Sequence, residues 1–152
     1  MKKFFFVMLT GFIVFLSQVQ ASVTNRIENQ STVTITNAWN LGTDTLFIGE
    51  MTFGNSLIVE QGGSVTSGYG VIGYDPGAFS NSVVIRGTNS SWVSSGGVIV
   101  GELGSDNTFS VLDQASITLG GLELGKFSVI TNNTFEVDNA RGSGSYPNRI
   151  VG

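Results

Sequence analysis

NSLIVEQGGSVTSGYGVIGYDPGAFS, residues 55–80, is followed without a break by NSVVIRGTNSSWVSSGGVIVGELGSD, residues 81–106. The two stretches are one unit written twice, and a third copy opens at Asn107 as NTFSVLDQASITLGGLELG. Asn55, Asn81 and Asn107 therefore stand 26 residues apart. Self-similarity at a fixed period of this size marks a solenoid, in which each repeat buries its apolar face only by stacking on the next. A second signature runs alongside. Leu46-Phe47-Ile48-Gly49 returns as Val71-Ile72-Gly73, Ile99-Val100-Gly101, Glu123-Leu124-Gly125 and Ile150-Val151-Gly152. Its glycines are spaced 24, 28, 24 and 27 residues apart, with 52 between Gly49 and Gly101. That alternation predicts a two-coil superperiod in which odd and even coils differ by small loop insertions.

Each copy holds three short apolar segments. In the first they are Ser56 to Glu60, Ser64 to Ser67 and Gly70 to Gly73; in the second, Ser82 to Arg86, Ser91 to Ser94 and Gly97 to Gly101. In the third they are Thr108 to Leu112, Ser116 to Leu119 and Gly121 to Gly125. Segments this short, with alternating polarity, are strands. The alternation predicts that Leu57 and Val59, Val83 and Ile85, and Phe109 and Val111 point inward. Gly62-Gly63, Thr88-Asn89 and Gln114-Ala115 fall between strands, where the chain must turn. The expected fold is an all-β parallel β-helix of roughly five coils, each of about three short strands and about 26 residues. Trp92 stands where the neighbouring copies have Val65 and Ile117, so that corner is expected to be wider.

The chain begins with Lys2 and Lys3, a 13-residue apolar run from Phe4 to Leu16, and then Val19 and Ala21. This is the pattern of a secretory signal peptide over residues 1–21. The run is shorter than the roughly 18–20 residues a spanning helix needs, and no second one follows, so no membrane span is expected in the mature chain. Residues 22–31 are polar and read as an N-terminal arm or part of a cap. Thr32 to Trp39 opens the repeats, which run over residues 32–152. Because Ile150-Val151-Gly152 repeats the glycine signature, the chain is expected to stop inside a repeat.

Without Lys2 and Lys3 the balance is five basic against 11 acidic side chains, which disfavours nucleic acid and anionic membranes as partners. There is no cysteine for disulfides and no histidine for acid–base or metal chemistry. The row Asn55, Asn81, Asn107 reads either as a ligand-facing stripe or as a ladder bonding coil to coil; the ladder fits the period better. Asp44, Asp75, Asp106 and Asp113 fall at different phases of the repeat, which suits solvated turns better than a calcium site or a glycosidase pair. Thr32, Thr34 and Thr36 start a threonine rank that the next coils do not continue. Gly62-Gly63 and Gly120-Gly121 lack the Lys-Ser/Thr of a phosphate loop, and Ser90 and Ser91 have no base beside them. No catalytic residue, cofactor site or metal site is expected. The repeat positions Asn55, Asn81, Asn107, Gly49, Gly73, Gly101, Gly125 and Trp92 are structural.

Two alternating half-patterns carry a resemblance. Asn55, Leu57, Val59, Gly62, Gly63, Val65, Ile72 and Gly73 form one; Val84, Gly87, Ser90, Trp92, Val100 and Gly101 form the other. Together they resemble the repeat shared by type V secretion (autotransporter) passenger proteins and PEP-CTERM-associated proteins, over about 120 residues from Thr32 onward. The resemblance implies a bacterial secreted or cell-surface β-helical scaffold, adhesin-like or a structural stalk, and part of a longer protein. Surface glycans, other cell-surface proteins or end-to-end copies of itself would be its partners, in the extracellular space, at the cell surface or in the periplasm. The alternative is a fragment of a solenoid carbohydrate-active enzyme, a polysaccharide lyase or hydrolase. A cleft gathering three or more carboxylates beside Arg86 or Lys126 would favour the enzyme.

Overall fold

The computed structural model describes residues 25–127 and 130–138, together with the backbone of 149–151. The leader, and Gly152 of the last signature, lie outside the described residues. The chain is an all-β parallel β-solenoid, and its repeat sets the geometry of every coil. The strands are β1 (Arg26–Ile27), β2 (Thr32–Ile35), β3 (Ala38–Asn40), β4 (Thr45–Ile48), β5 (Ser56–Val59) and β6 (Ser64–Ile72). Then come β7 (Ser82–Arg86), β8 (Ser91–Val100), β9 (Thr108–Leu112), β10 (Ser116–Leu119), β11 (Leu122–Leu124), β12 (Thr134–Asp138) and β13 (Arg149–Val151). Among the described residues four complete coils are stacked, with β1 before them and β12 after them.

The first strand of each coil builds one six-stranded sheet, in the order β13-β12-β9-β7-β5-β2. The second and third strands build a seven-stranded sheet along β1-β4-β6-β8-β10, with β3 on β6 and β11 on β8. All pairings except that of β13 are parallel. In the two central coils the second and third segments are not separate. They fuse into the long strands β6 and β8, whose register shifts between Ser67 and Tyr69. That irregularity is the corner the sequence places between two strands, made by a bulge rather than a turn.

Inward alternation follows the expectation. Val33, Leu57, Val83, Phe109 and Phe135 stack in register on the first sheet, and Leu57, Val83, Phe109 and Phe135 are fully buried. Val59, Ile85 and Val111 form the next buried row. On the second sheet Ile27, Ile48, Ile72, Val100 and Leu124 share one rank. Ile27 thus makes part of the polar-looking arm a strand in phase with the repeat. Each fully buried aliphatic or aromatic side chain contributes roughly 1.5–3 kcal/mol, which offsets the ordering entropy of its coil.

The alternating glycine spacings have a local origin. Ser56 pairs with Ser82, Ser64 with Ser91 and Tyr69 with Gly97, offsets of 26, 27 and 28. One residue is therefore added in the turn at 87–90 and a second at the bend at 95–96. The outer loop from Gly101 to Asn107 is two residues shorter than that from Gly73 to Asn81, which restores the 26-residue asparagine period.

One expectation is corrected. Arg149–Val151 does not continue the repeat as a third strand on β11. It pairs antiparallel with β12, Phe135 opposite Ile150 and Glu136 opposite Arg149, and so covers the free edge of the first sheet. The Ile-Val-Gly pattern is shared, but the strand runs the opposite way.

Candidate functional site

The two sequence signatures meet inside the solenoid. The Asn81 Oδ1 atom accepts from both the backbone N–H and the Nδ2 of Asn55, each at 2.9 Å. Asn107 Oδ1 accepts the same pair from Asn81 at 2.9 and 3.0 Å, and Asn133 Oδ1 from Asn107 at 2.9 and 3.2 Å. All four asparagines are at most 1% exposed. At the top the rung is completed by the Ser31 N–H, which donates to Asn55 Oδ1 at 3.2 Å. This is the ladder, and it extends one coil further than the sequence row, to Asn133. The glycine signature makes room for it. Gly49, Gly73, Gly101 and Gly125 all have φ between 64° and 79°, the left-handed region that favours glycine. A Cβ at Gly49, Gly73 or Gly101 would overlap the amide of Asn81, Asn107 or Asn133, respectively. Asparagine row and glycine row are two halves of one lock.

Trp92 is fully buried and donates its indole N–H to Ser67 Oγ at 3.0 Å. It pairs in register with Val65 on one side and Ile117 on the other. Its space comes from Gly70, one coil back, where a Cβ would run into the indole ring. The ring then meets Phe109 edge-on at 5.6 Å, and Phe109 meets Phe135 at 5.2 Å.

The acidic residues weighed from sequence are turn residues. Asp106 and Asp113 have φ of 58° and 53°, and Asp106 accepts from Asn132 Nδ2 at 3.0 Å. The Asp75 carbonyl closes a turn with the Ala78 N–H at 2.8 Å, and the Asp44 carbonyl accepts from the Gly68 N–H at 2.8 Å. Among the described residues no group of three or more acidic side chains is placed to hold a metal ion. Among the described residues Arg26, Arg86 and Lys126 each hold one acid across coils: Arg26 on Glu50, Arg86 on Glu60 at 2.6 Å, and Lys126 on Glu102 at 2.6 Å. Ser90 is buried, and its Oγ accepts from the Gly62 N–H at 3.1 Å.

The hydrogen bond to Glu102 holds the Lys126 ammonium above its ordinary pKa, against an opposing desolvation and with further help from the charges of Glu102, Glu123 and Tyr74. A raised cationic pKa means the interaction is fully present below the ordinary lysine value and fades as pH rises through the raised one. Glu102→Gln is expected to lower the Lys126 pKa, read by NMR titration of its side-chain nitrogen; an unchanged midpoint would refute the assignment.

What faces outward differs between the lateral faces. The first strands present Thr32, Ser56, Ser82, Thr108 and Thr134 in one rank, with Ser82 Oγ donating to Ser56 Oγ at 3.0 Å. The second strands present Ser64, Ser91 and Ser116. The third strands are different. Their outward ranks are Phe47, Val71 and Ile99, ending in Glu123, with Val71 itself buried, and beside them Tyr69, Gly97 and Gly121. Phe47 packs edge-on against exposed Tyr74 at 5.6 Å. Tyr69 is 51% exposed and opens onto a trough of about 250 Å³ lined by Gly96, Gly97, Ile99, Gly121 and Glu123. Sequence reasoning did not single out Tyr69. The available signal was an aromatic on an outward rank whose later members, Gly97 and Gly121, are glycines.

No family model, no curated protein and no solved structure matches the chain. Among the described residues no helix is long and apolar enough to cross a membrane.

Proposed function

We propose that the chain is a non-enzymatic β-helical scaffold of a bacterial surface, adhesin-like or a stalk, exported through its N-terminal leader and forming part of a longer protein. The observation that supports this reading most is the use of its buried polar groups. Every buried side-chain nitrogen and oxygen among the described residues is already hydrogen-bonded, and the most regular polar row is spent in joining coil to coil. What remains for partners is the lateral surface: ranks of hydroxyls on two faces and an aromatic face on the third. The resemblance of the two-coil unit to passenger repeats, and the basic start followed by Phe4 to Leu16, support export.

The test pairs two measurements on the purified chain. Binding to bacterial or host cells or to an array of glycans is expected, with no cleavage of any member of a polysaccharide panel. Turnover that disappears on substitution of a single carboxylate would overturn the scaffold reading in favour of a carbohydrate-active enzyme.

A further inference from the structure

We infer that the trough beside Tyr69 is a saccharide subsite, taking one ring of a neutral glycan. The inference rests on the scaffold reading and names the ligand class of one face of it.

Tyr69 is held as a platform. Its ring lies over Gly96 on the next coil, close enough that a Cβ there would overlap Cζ and both Cε atoms. One ring face is thus supported by backbone, and a side chain that is still 51% exposed turns the other toward solvent. Such a ring offers an apolar, weakly negative face to the C–H groups on one side of a pyranose. The floor is made of two glycines of different standing. Gly97 is required by the fold: its φ is 120°, and a Cβ would lie 2.6 Å from the Gly121 carbonyl oxygen. Gly121 is not. Its φ lies outside the left-handed region, and a Cβ there would meet nothing within 4 Å. Gly121 sits just ahead of β11 (Leu122–Leu124), and ordering a glycine costs more backbone entropy than ordering a residue with a Cβ, so a glycine where a side chain fits without strain leaves an open space that stability does not explain. That open space is the trough.

The rim selects the ligand. Exposed Glu123 accepts hydrogen bonds and donates none while ionised, so it suits hydroxyl donors. The acidic excess of the whole chain works against anionic polymers. At about 250 Å³ the trough is smaller than the roughly 300–1,000 Å³ of sites that enclose drug-sized ligands, which fits a single ring.

The experiment follows backbone amide shifts of the purified chain on adding cellotetraose, chitotetraose or mannotetraose, with oligogalacturonate as the anionic control. At least one neutral sugar is expected to shift the amides of Gly97 and Gly121. Tyr69→Ala should weaken it by about two- to tenfold, the scale of one lost stacking contact. Gly121→Leu should fill the trough and abolish binding while leaving the urea midpoint in place. Phe79→Ala, which removes an exposed aromatic from the loop before Asn81, should bind as the parent does. Binding of none of the neutral sugars, binding of the anionic one alone, or binding that survives both Tyr69→Ala and Gly121→Leu would overturn the subsite. Cell adhesion that persists without sugar binding overturns the subsite and leaves the scaffold reading standing, with a protein as the partner. Sugar binding without any adhesion supports the subsite and counts against the adhesive role alone.

Discussion

Asn107→Ala is expected to destabilise the solenoid by about 3–5 kcal/mol, most of it from donors left without partners. The Asn107 Oδ1 atom accepts from both the N–H and the Nδ2 of Asn81, at 2.9 and 3.0 Å, in a site that excludes water. Truncation strands both donors at once. A neutral hydrogen bond is worth only about 0.5–1.5 kcal/mol net, but a buried donor left unmade costs about 1–3 kcal/mol, and that asymmetry sets the size of the effect. The Asn107 amide also fills the space left by Gly73, so truncation opens a gap there as well. Urea unfolding followed by tryptophan fluorescence would give the loss, and amide exchange at Asn81 would show whether it starts at the broken rung. A loss below about 1 kcal/mol, the size expected of a surface polar contact, would mean that the ladder is decoration and the apolar core alone holds the coils together.

The second large effect concerns Trp92 and its socket. Trp92→Ala should cost about 3–5 kcal/mol, the usual range for deleting a buried aromatic. Gly70→Ala alone should also destabilise, by about 1–3 kcal/mol, because its methyl would press into the indole and within 3.1 Å of a Val98 methyl. The informative measurement is the pair. With the indole gone, the Gly70 methyl enters vacated space, so the double variant should be more stable than the sum of the single losses implies. A coupling of about 1–3 kcal/mol is expected between residues in such contact. Simple additivity would show that Trp92 gains its room by some other movement of the coil.

Much of this architecture is legible in the chain because a 26-residue offset puts Asn81 on Asn55 and Val83 on Leu57 whatever the cross-section. Stacking neighbours follow from period alone. The residues across the core do not, and that is where reading failed. Nothing in the sequence says that Gly49 touches Asn81, since the two belong to different signatures at different phases, yet that contact explains both. The corner at Gly68 was read as a break between strands; whether a bend ends a strand depends on one bulge, which leaves the local polarity pattern unchanged. Trp92 was expected to mark a wider coil, and that coil does carry one added residue on each side of the Trp92 segment; what the sequence did not show is that Gly70 in the neighbouring coil gives the indole the rest of its room. Ile150-Val151 has the right residues for a third strand, but direction is set by which edge is open, and β12 offered its edge to an antiparallel partner. Tyr69 escaped notice because a site made by missing side chains has no residue pattern of its own.

The Trp92 socket constrains how such a chain can lengthen by gene duplication. Copying Asn81–Asp106 alone would preserve the asparagine spacing, but the new tryptophan would look back on Val98 instead of Gly70, because those two positions share one rank. Copying Asn55–Asp106 carries each tryptophan together with the glycine that receives it. The heritable module is thus the pair of coils. An array lengthened by whole modules would grow in steps of about 9.6 Å, two strand spacings at a time, and a single added coil would cost packing at the tryptophan.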